Sequence, residues 1–204
     1  DYASGLIIET LGRIPRPGSA RSLLSSVDHA LDSCHRTLIE HAAGNGDLCG
    51  STVVALLVFE WDFAVVWAGD SRLYRLRHGC LEQLTRDHSY VQELVADGKL
   101  AASAARHHPL ANRITRAVGA DQALKLDVEG GKMDEHDLFL LCSDGLTGMI
   151  DDLAIQKTLV EHDLETAADQ LIARALAAGG RDNVTVLLIR AGDDDDADRT
   201  LPGL

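Results

Sequence analysis

The feature that most constrains this chain is an apolar segment of strand length, Leu138–Cys142, that stops at a carboxylate. Five consecutive apolar residues predict a strand buried on both faces, because neither face offers a polar residue to water. Ser143, Asp144 and Gly145 follow at once, so we expect Asp144 at the rim of a rigid sheet, where Gly145 can take a backbone angle that other residues resist. This position suits a metal ligand, although Asp-Gly is also an ordinary turn sequence.

Two further aspartates occupy comparable positions at strand ends. Asp70 follows the predicted strand Phe63–Trp67, and Asp182 precedes the predicted strand Val184–Ile189. If the last two strands are antiparallel neighbours, Asp144 and Asp182 meet at one edge of a sheet. Two close, unpaired carboxylates repel each other, and a cation between them relieves the repulsion; all-oxygen ligation favours Mg²⁺ or Mn²⁺. Waters held by a pair of such ions can attack a phosphate at neutral pH.

Structural interpretations of these acids stay open. Asp182 can simply belong to a turn, and Asp70 can pair with Arg72. Asp151 and Asp152 are assigned to the first turn of a helix, where the helix dipole favours negative charge. The serines next to the strand-end aspartates do not lie in a Gly-x-Ser-x-Gly motif, which argues against a serine-nucleophile hydrolase.

Composition and length set the class of protein. With 204 residues, 46% of them hydrophobic and 25% charged, the chain is predicted to form a soluble globular domain. Its net charge of −13 argues against a nucleic-acid partner, and the aspartate-rich residues 192–204 are expected to form a disordered tail. Four scattered cysteines without a Cys-x-x-Cys pair indicate a reducing, cytoplasmic location, and no segment has the length of a membrane span.

The order of predicted elements indicates a layered α+β fold. Two helices are followed by two strand pairs, an irregular insertion, two strands at Leu124–Val128 and Leu138–Cys142, two more helices and a last strand. Antiparallel hairpins combined with paired helices favour a sandwich in which helices cover the sheets. The insertion, from Thr85 to about Gly119, has the length of a lid or a satellite subdomain. The chain starts at Asp1 inside a predicted helix, which leads us to expect an upstream portion.

Six motifs occur along the chain in a recognisable order: Cys49–Thr52, Trp67–Arg72, Leu84–Ser89, Asn112–Gly119, Cys142–Leu146 and Gly180–Thr185. Together they resemble the PP2C-type (PPM) metal-dependent protein phosphatases of the compact bacterial branch, and most of all those associated with type VI secretion loci. The resemblance implies a four-layer α-β-β-α sandwich of two antiparallel sheets flanked by helix pairs, lacking its first strands. It assigns residues 1–191 to an N-terminally incomplete phosphatase domain and residues 85–119 to its flap.

The same resemblance implies a chemistry. Asp144 and Asp182 match two ligands of a dinuclear Mn²⁺ or Mg²⁺ centre, and Asp70 matches an acid that helps to bind a third ion. The reaction would be hydrolysis of phosphoserine and phosphothreonine in proteins by a metal-activated water, opposing a Ser/Thr kinase. The partners would then be phosphorylated proteins and the cognate kinase with its targets.

The chain also departs from the family pattern. The Asn-Glu-Asp and Asp-Gly-x-Gly-Gly-His segments of the family are absent, and with them other metal ligands, the phosphate-binding arginine and the histidine general acid. We therefore expect these groups upstream of this chain, which alone would be inactive. The alternative is a catalytically inactive PP2C-like domain that binds a phosphoprotein or a regulatory partner.

Overall fold

Two helices begin the chain in the computed structural model, which describes residues 2–46, 49–105 and 108–192. They are α1 (Tyr2–Gly12) and α2 (Ala20–Asn45). Ser19 caps α2, since its hydroxyl accepts a hydrogen bond from the backbone N–H of Ser22. Gly46 ends α2 with a left-handed backbone, φ 78°, which glycine adopts without strain.

The described residues contain seven strands, numbered along the chain: β1 (Val53–Phe59), β2 (Asp62–Ala68), β3 (Arg72–Arg77), β4 (Cys80–Gln83), β5 (Asp127–Lys132), β6 (Leu138–Cys142) and β7 (Val186–Arg190). They form a three-stranded sheet in the order β1-β2-β5 and a four-stranded sheet in the order β4-β3-β6-β7. Every pairing is antiparallel. All five residues of β6 are buried, as its apolar sequence predicts.

The other helices of the described chain are α3 (Tyr90–Ala96), α4 (Ala102–Ala105), α5 (Asp144–Thr147), α6 (Asp152–Glu161) and α7 (Leu164–Ala177). Apolar residues of α1 and α2 pack on the three-stranded sheet, and those of α6 and α7 pack on the four-stranded sheet. Between the sheets lies a third apolar layer that includes Phe63, Leu73 and Phe139. This is the predicted four-layer α-β-β-α sandwich.

Two strand predictions are displaced in the structure. The strand predicted at Leu124–Val128 lies at Asp127–Lys132, because pairing with β2 sets its register, with Val128 opposite Val66. The strand predicted from Val184 begins at Val186. Helix α3 follows Ser89, whose side chain caps the helix by accepting a hydrogen bond from the N–H of Gln92.

The predicted flap, residues 85–119, contains α3 and α4 between β4 and β5. The predicted tail lies outside the described residues except for Gly192. No helix in the described part of the chain combines the length and the hydrophobicity that a membrane span requires.

Candidate metal centre

The three strand-end aspartates line one cavity of about 610 Å³. Asp144 follows β6 and starts α5, and Asp182 precedes β7. Because β6 and β7 are antiparallel with Cys142 opposite Val186, the end of one strand lies beside the start of the other. Asp70, in the connection from β2 to β3, lines the same cavity. The structure therefore brings together all three aspartates that the sequence singles out.

Ser143 fastens the loops that carry Asp144 and Asp182. Its hydroxyl donates to the backbone carbonyl of Asn183 at 3.0 Å and accepts from the backbone N–H of Thr185 at 3.0 Å. The backbone N–H of Ser143 also donates to the carbonyl of Thr185 at 3.2 Å. Three hydrogen bonds thus hold the two acid-bearing loops in register. The sequence does not reveal this link, since its partners are about 40 residues apart.

Gly145 allows the same two loops to approach closely. A Cβ at this position would lie 2.3 Å from the backbone carbonyl oxygen of Asn183, closer than nonbonded atoms can come. The sequence-based explanation of Gly145, an unusual backbone angle, is wrong: the residue lies within α5 and is not among those with positive φ. Space, not backbone angle, requires glycine here.

Burial and neighbouring carboxylates raise the pKa of two of the three aspartates, Asp70 and Asp144. Burial, followed by the charge of Asp144, raises the pKa of Asp70 to about 6. Burial, followed by the charge of Asp182, raises the pKa of Asp144. A cation is therefore favoured at this edge, because it would stabilise the ionised form of each carboxylate.

Arg72 forms its ion pairs with Asp87 and Asp152, so the alternative that it pairs with Asp70 is wrong. Its Nε and Nη2 instead donate to the two carboxylate oxygens of Asp87, each at 2.8 Å. Nη1 donates to the hydroxyl of Tyr74 at 2.8 Å, and that hydroxyl donates to Asp152 at 3.0 Å. This network ties β3 to the first residues of the flap and to α6. Asp151 and Asp152 lie at the start of α6, as predicted.

His88 anchors the flap beside Asp70. Its backbone N–H donates to the carbonyl of Gly69 at 2.8 Å, and its Nδ1 accepts from the N–H of Gly69 at 3.1 Å. The proton of the neutral ring is accordingly assigned to Nε2, which lies 3.1 Å from Asp127 Oδ2. Burial is the main cause that lowers the pKa of His88, and the ring stacks on Trp67 at 5.9 Å. This role for His88 is not evident from the sequence, because Asp127 lies 39 residues away along the chain.

The donor set fits part of an oxygen-ligated divalent cation site. Asp70, Asp144 and Asp182 supply carboxylate oxygens, the ligands that Mg²⁺ and Mn²⁺ prefer. Within residues 2–46, 49–105 and 108–192, however, no group of three His, Cys, Asp or Glu side chains is arranged to hold a metal ion. The three aspartates therefore need further donors to complete such a site.

Comparison with known proteins gives a consistent picture, although no family model matches the chain. The serine/threonine phosphatase stp of Listeria innocua is 32% identical over 174 residues, which cover 84% of this chain and 69% of that protein. The structure of PppA, described as a key regulatory component of T6SS in Pseudomonas aeruginosa, aligns with a TM-score of 0.85 and 39% identity, covering 92% of this chain and 78% of PppA.

A second similar structure contains metal. The catalytic domain of the serine/threonine protein phosphatase PstP, in complex with two manganese ions, aligns with a TM-score of 0.84 and 32% identity over 94% of this chain and 81% of that domain. Sequence similarity and shared fold thus agree over nearly the whole chain. The chain belongs to the PP2C-type (PPM) family of bacterial serine/threonine protein phosphatases.

Proposed function

We propose that the protein hydrolyses phosphoserine and phosphothreonine in other proteins and requires Mn²⁺ or Mg²⁺. The observation that carries this proposal is the convergence of Asp70, Asp144 and Asp182 on one cavity. Burial and neighbouring carboxylates raise the pKa of Asp70 and of Asp144, and Arg72 is paired with Asp87 instead. When bound, the ions activate water and offset the charge of the phosphate. The two manganese ions in the PstP catalytic domain support the choice of metal.

The residues present have distinct proposed roles. Asp144 and Asp182 hold the central pair of ions, and Asp70 contributes to a third. Residues 1–191 form the phosphatase domain with its flap at 85–119, and the remaining ligands, the phosphate-binding arginine and the general acid come from upstream sequence. The incomplete donor set of the described residues supports this.

The proposed substrates are phosphorylated proteins in the cytoplasm, so the enzyme would oppose a Ser/Thr kinase and its targets. The likeness to PppA supports a place in the control of a secretion apparatus. The incomplete donor set also favours a second candidate function, a PP2C-like domain that binds a phosphoprotein without cleaving it.

Phosphate release from a phosphothreonine peptide separates these functions. We expect the full-length protein to hydrolyse the peptide in the presence of Mn²⁺. Hydrolysis should stop when EDTA removes the metal. Asp144→Asn and Asp182→Asn should each lower kcat/KM by about a thousandfold or more, because a lost ligand removes metal activation. Asp169→Asn, which removes the same charge from an exposed site on α7, is the matched control.

Near wild-type turnover in either ligand variant would refute the assignment of these aspartates. Binding of the peptide without any turnover by the metal-loaded, full-length protein would favour the binding domain.

A further inference from the structure

The two arginines that line the cavity with the strand-end aspartates differ in whether they already have partners. Among the described residues these are Arg72 and Arg181. All three guanidinium nitrogens of Arg72 are engaged, two by Asp87 and one by Tyr74. Arg181 is exposed and forms no ion pair with any other residue that the structure describes. Arg181 is thus the cation of this lining that is available to a ligand.

Of the remaining acids of the lining, Asp151 and Asp152 accept hydrogen bonds from neutral donors, and Asp87 pairs with an arginine. Asp151 accepts from the N–H of Ala154 at 2.8 Å and caps α6, and Asp152 accepts from Tyr74 at 3.0 Å. Asp87 is neutralised by Arg72. Asp151 and Asp152 keep their negative charges, since an N–H and a hydroxyl are neutral donors, so Arg181 is the one arginine of the described lining that is free to bind an anionic group.

The backbone that carries Arg181 is held in place. Arg181 precedes Asp182 in the loop that Ser143 binds through Asn183 and Thr185. Because these hydrogen bonds fix the loop to the end of β6, the backbone of Arg181 keeps a constant position next to the proposed metal ligand Asp182. An arginine on a fixed backbone loses less entropy on binding an anion than one on a free loop.

We propose that Arg181 is a specificity-determining residue, which binds a carboxylate or a second phosphate on residues that flank the phosphorylated Ser or Thr of the substrate. This inference rests on the proposed phosphatase function. The exposure of Arg181 at the rim, in contrast to the partly buried Asp144, favours contact with a flanking residue over contact with the reacting phosphate. A guanidinium can bind either anion through two parallel hydrogen bonds. The chain has a net charge of −13 and therefore repels an acidic peptide, so a local positive charge is needed to attract one.

The test compares three substrates of the full-length protein with Mn²⁺: a phosphothreonine peptide with Asp and Glu flanks, the same peptide with Asn and Gln flanks, and p-nitrophenyl phosphate. The readout is the ratio of kcat/KM for the acidic peptide to that for the neutral peptide, in which any general loss of activity cancels. We expect Arg181→Gln to lower this ratio about fivefold, and Arg181→Lys to lower it less, with both effects shrinking in high salt.

Arg21→Gln is the matched control, since Arg21 is an exposed arginine on α2 that does not line the cavity, and it should leave the ratio unchanged. An unchanged ratio in Arg181→Gln would overturn the proposal. An equal fall in kcat/KM for p-nitrophenyl phosphate and the acidic peptide would also overturn it, because Arg181 would then act on the reacting phosphate.

If the wild-type protein hydrolyses none of the three substrates, the proposed function fails, and binding decides the role of Arg181. Fluorescence anisotropy of the labelled acidic phosphopeptide should then show weaker binding to Arg181→Gln than to Arg21→Gln. Equal affinity of the two variants would overturn the inference.

Discussion

The close contact between two loops at Gly145 leaves no space for any residue other than glycine. The Asn183 carbonyl oxygen occupies the space where a Cβ would lie, 2.3 Å from its ideal position. A methyl group here must push the Asn183 backbone away, and Asp182 is the preceding residue. The geometry of the proposed metal centre therefore depends on the absence of a side chain next to Asp144.

Gly145→Ala should lower the free energy of unfolding by about 1–3 kcal/mol, because overpacking against backbone cannot be relieved by a rotamer change. It should also weaken Mn²⁺ binding. Urea denaturation measures the first effect and calorimetry the second. Gly5→Ala in α1 is the control, since a Cβ at Gly5 meets nothing within 4 Å and alanine favours a helix. Equal stability of Gly145→Ala and the wild type would contradict the steric explanation.

Among the elements, the flap is fastened at both ends to the sandwich. The N–H of Thr115 donates to the carbonyl of His88 at 2.8 Å, and Ser51 and Val118 exchange backbone hydrogen bonds of 3.0 and 2.9 Å. His88 joins this base to Gly69 on one side and to Asp127 on the other. A change in the protonation of His88 would therefore act on the anchoring of the flap.

The lowered pKa of His88 sets the sign of a pH effect on stability. The folded state resists protonation, whereas the unfolded chain takes up a proton near the ordinary histidine pKa of 6.5. This contribution to stability is present in full above pH 6.5 and is lost as the pH falls below that value.

We expect the free energy of unfolding to fall further between pH 7.5 and 5.5 in the wild type than in His88→Gln. Urea denaturation at both pH values gives the two slopes. His29→Gln, at an exposed position on α2, should keep the wild-type slope. Identical slopes in the wild type and His88→Gln would show that the buried imidazole does not resist protonation.

The sequence predicts an element well when the pattern that specifies it lies within the element, and poorly when a neighbouring strand sets its position. Helical periodicity was enough to predict α2 and α7, and an uninterrupted apolar run was enough to predict the buried β6. Neither signal was enough for β5, which contains two glycines and takes its register from β2. The short α5 was also missed, because the Asp-Gly sequence suits a turn equally well.

Over the whole molecule, strand order is what assembles the site. Asp70, Asp144 and Asp182 can be picked out from the sequence because each borders an apolar strand, and antiparallel β6 and β7 then bring two of them to one edge. Their supports could not be predicted in this way. The Arg72–Asp87 pair, the Ser143 hydrogen bonds and the His88 anchor join residues that are far apart in sequence, so only the folded arrangement reveals them.

The central claim is that the strand-end aspartates bind divalent metal, and calorimetric titration of Mn²⁺ into the full-length protein at pH 7.5 tests it most directly. We predict that Asp144→Asn and Asp182→Asn each weaken Mn²⁺ binding at least about tenfold or abolish a site, because each removes a carboxylate ligand. Asp169→Asn should bind as the wild type does. Wild-type affinity and stoichiometry in both ligand variants would contradict the claim.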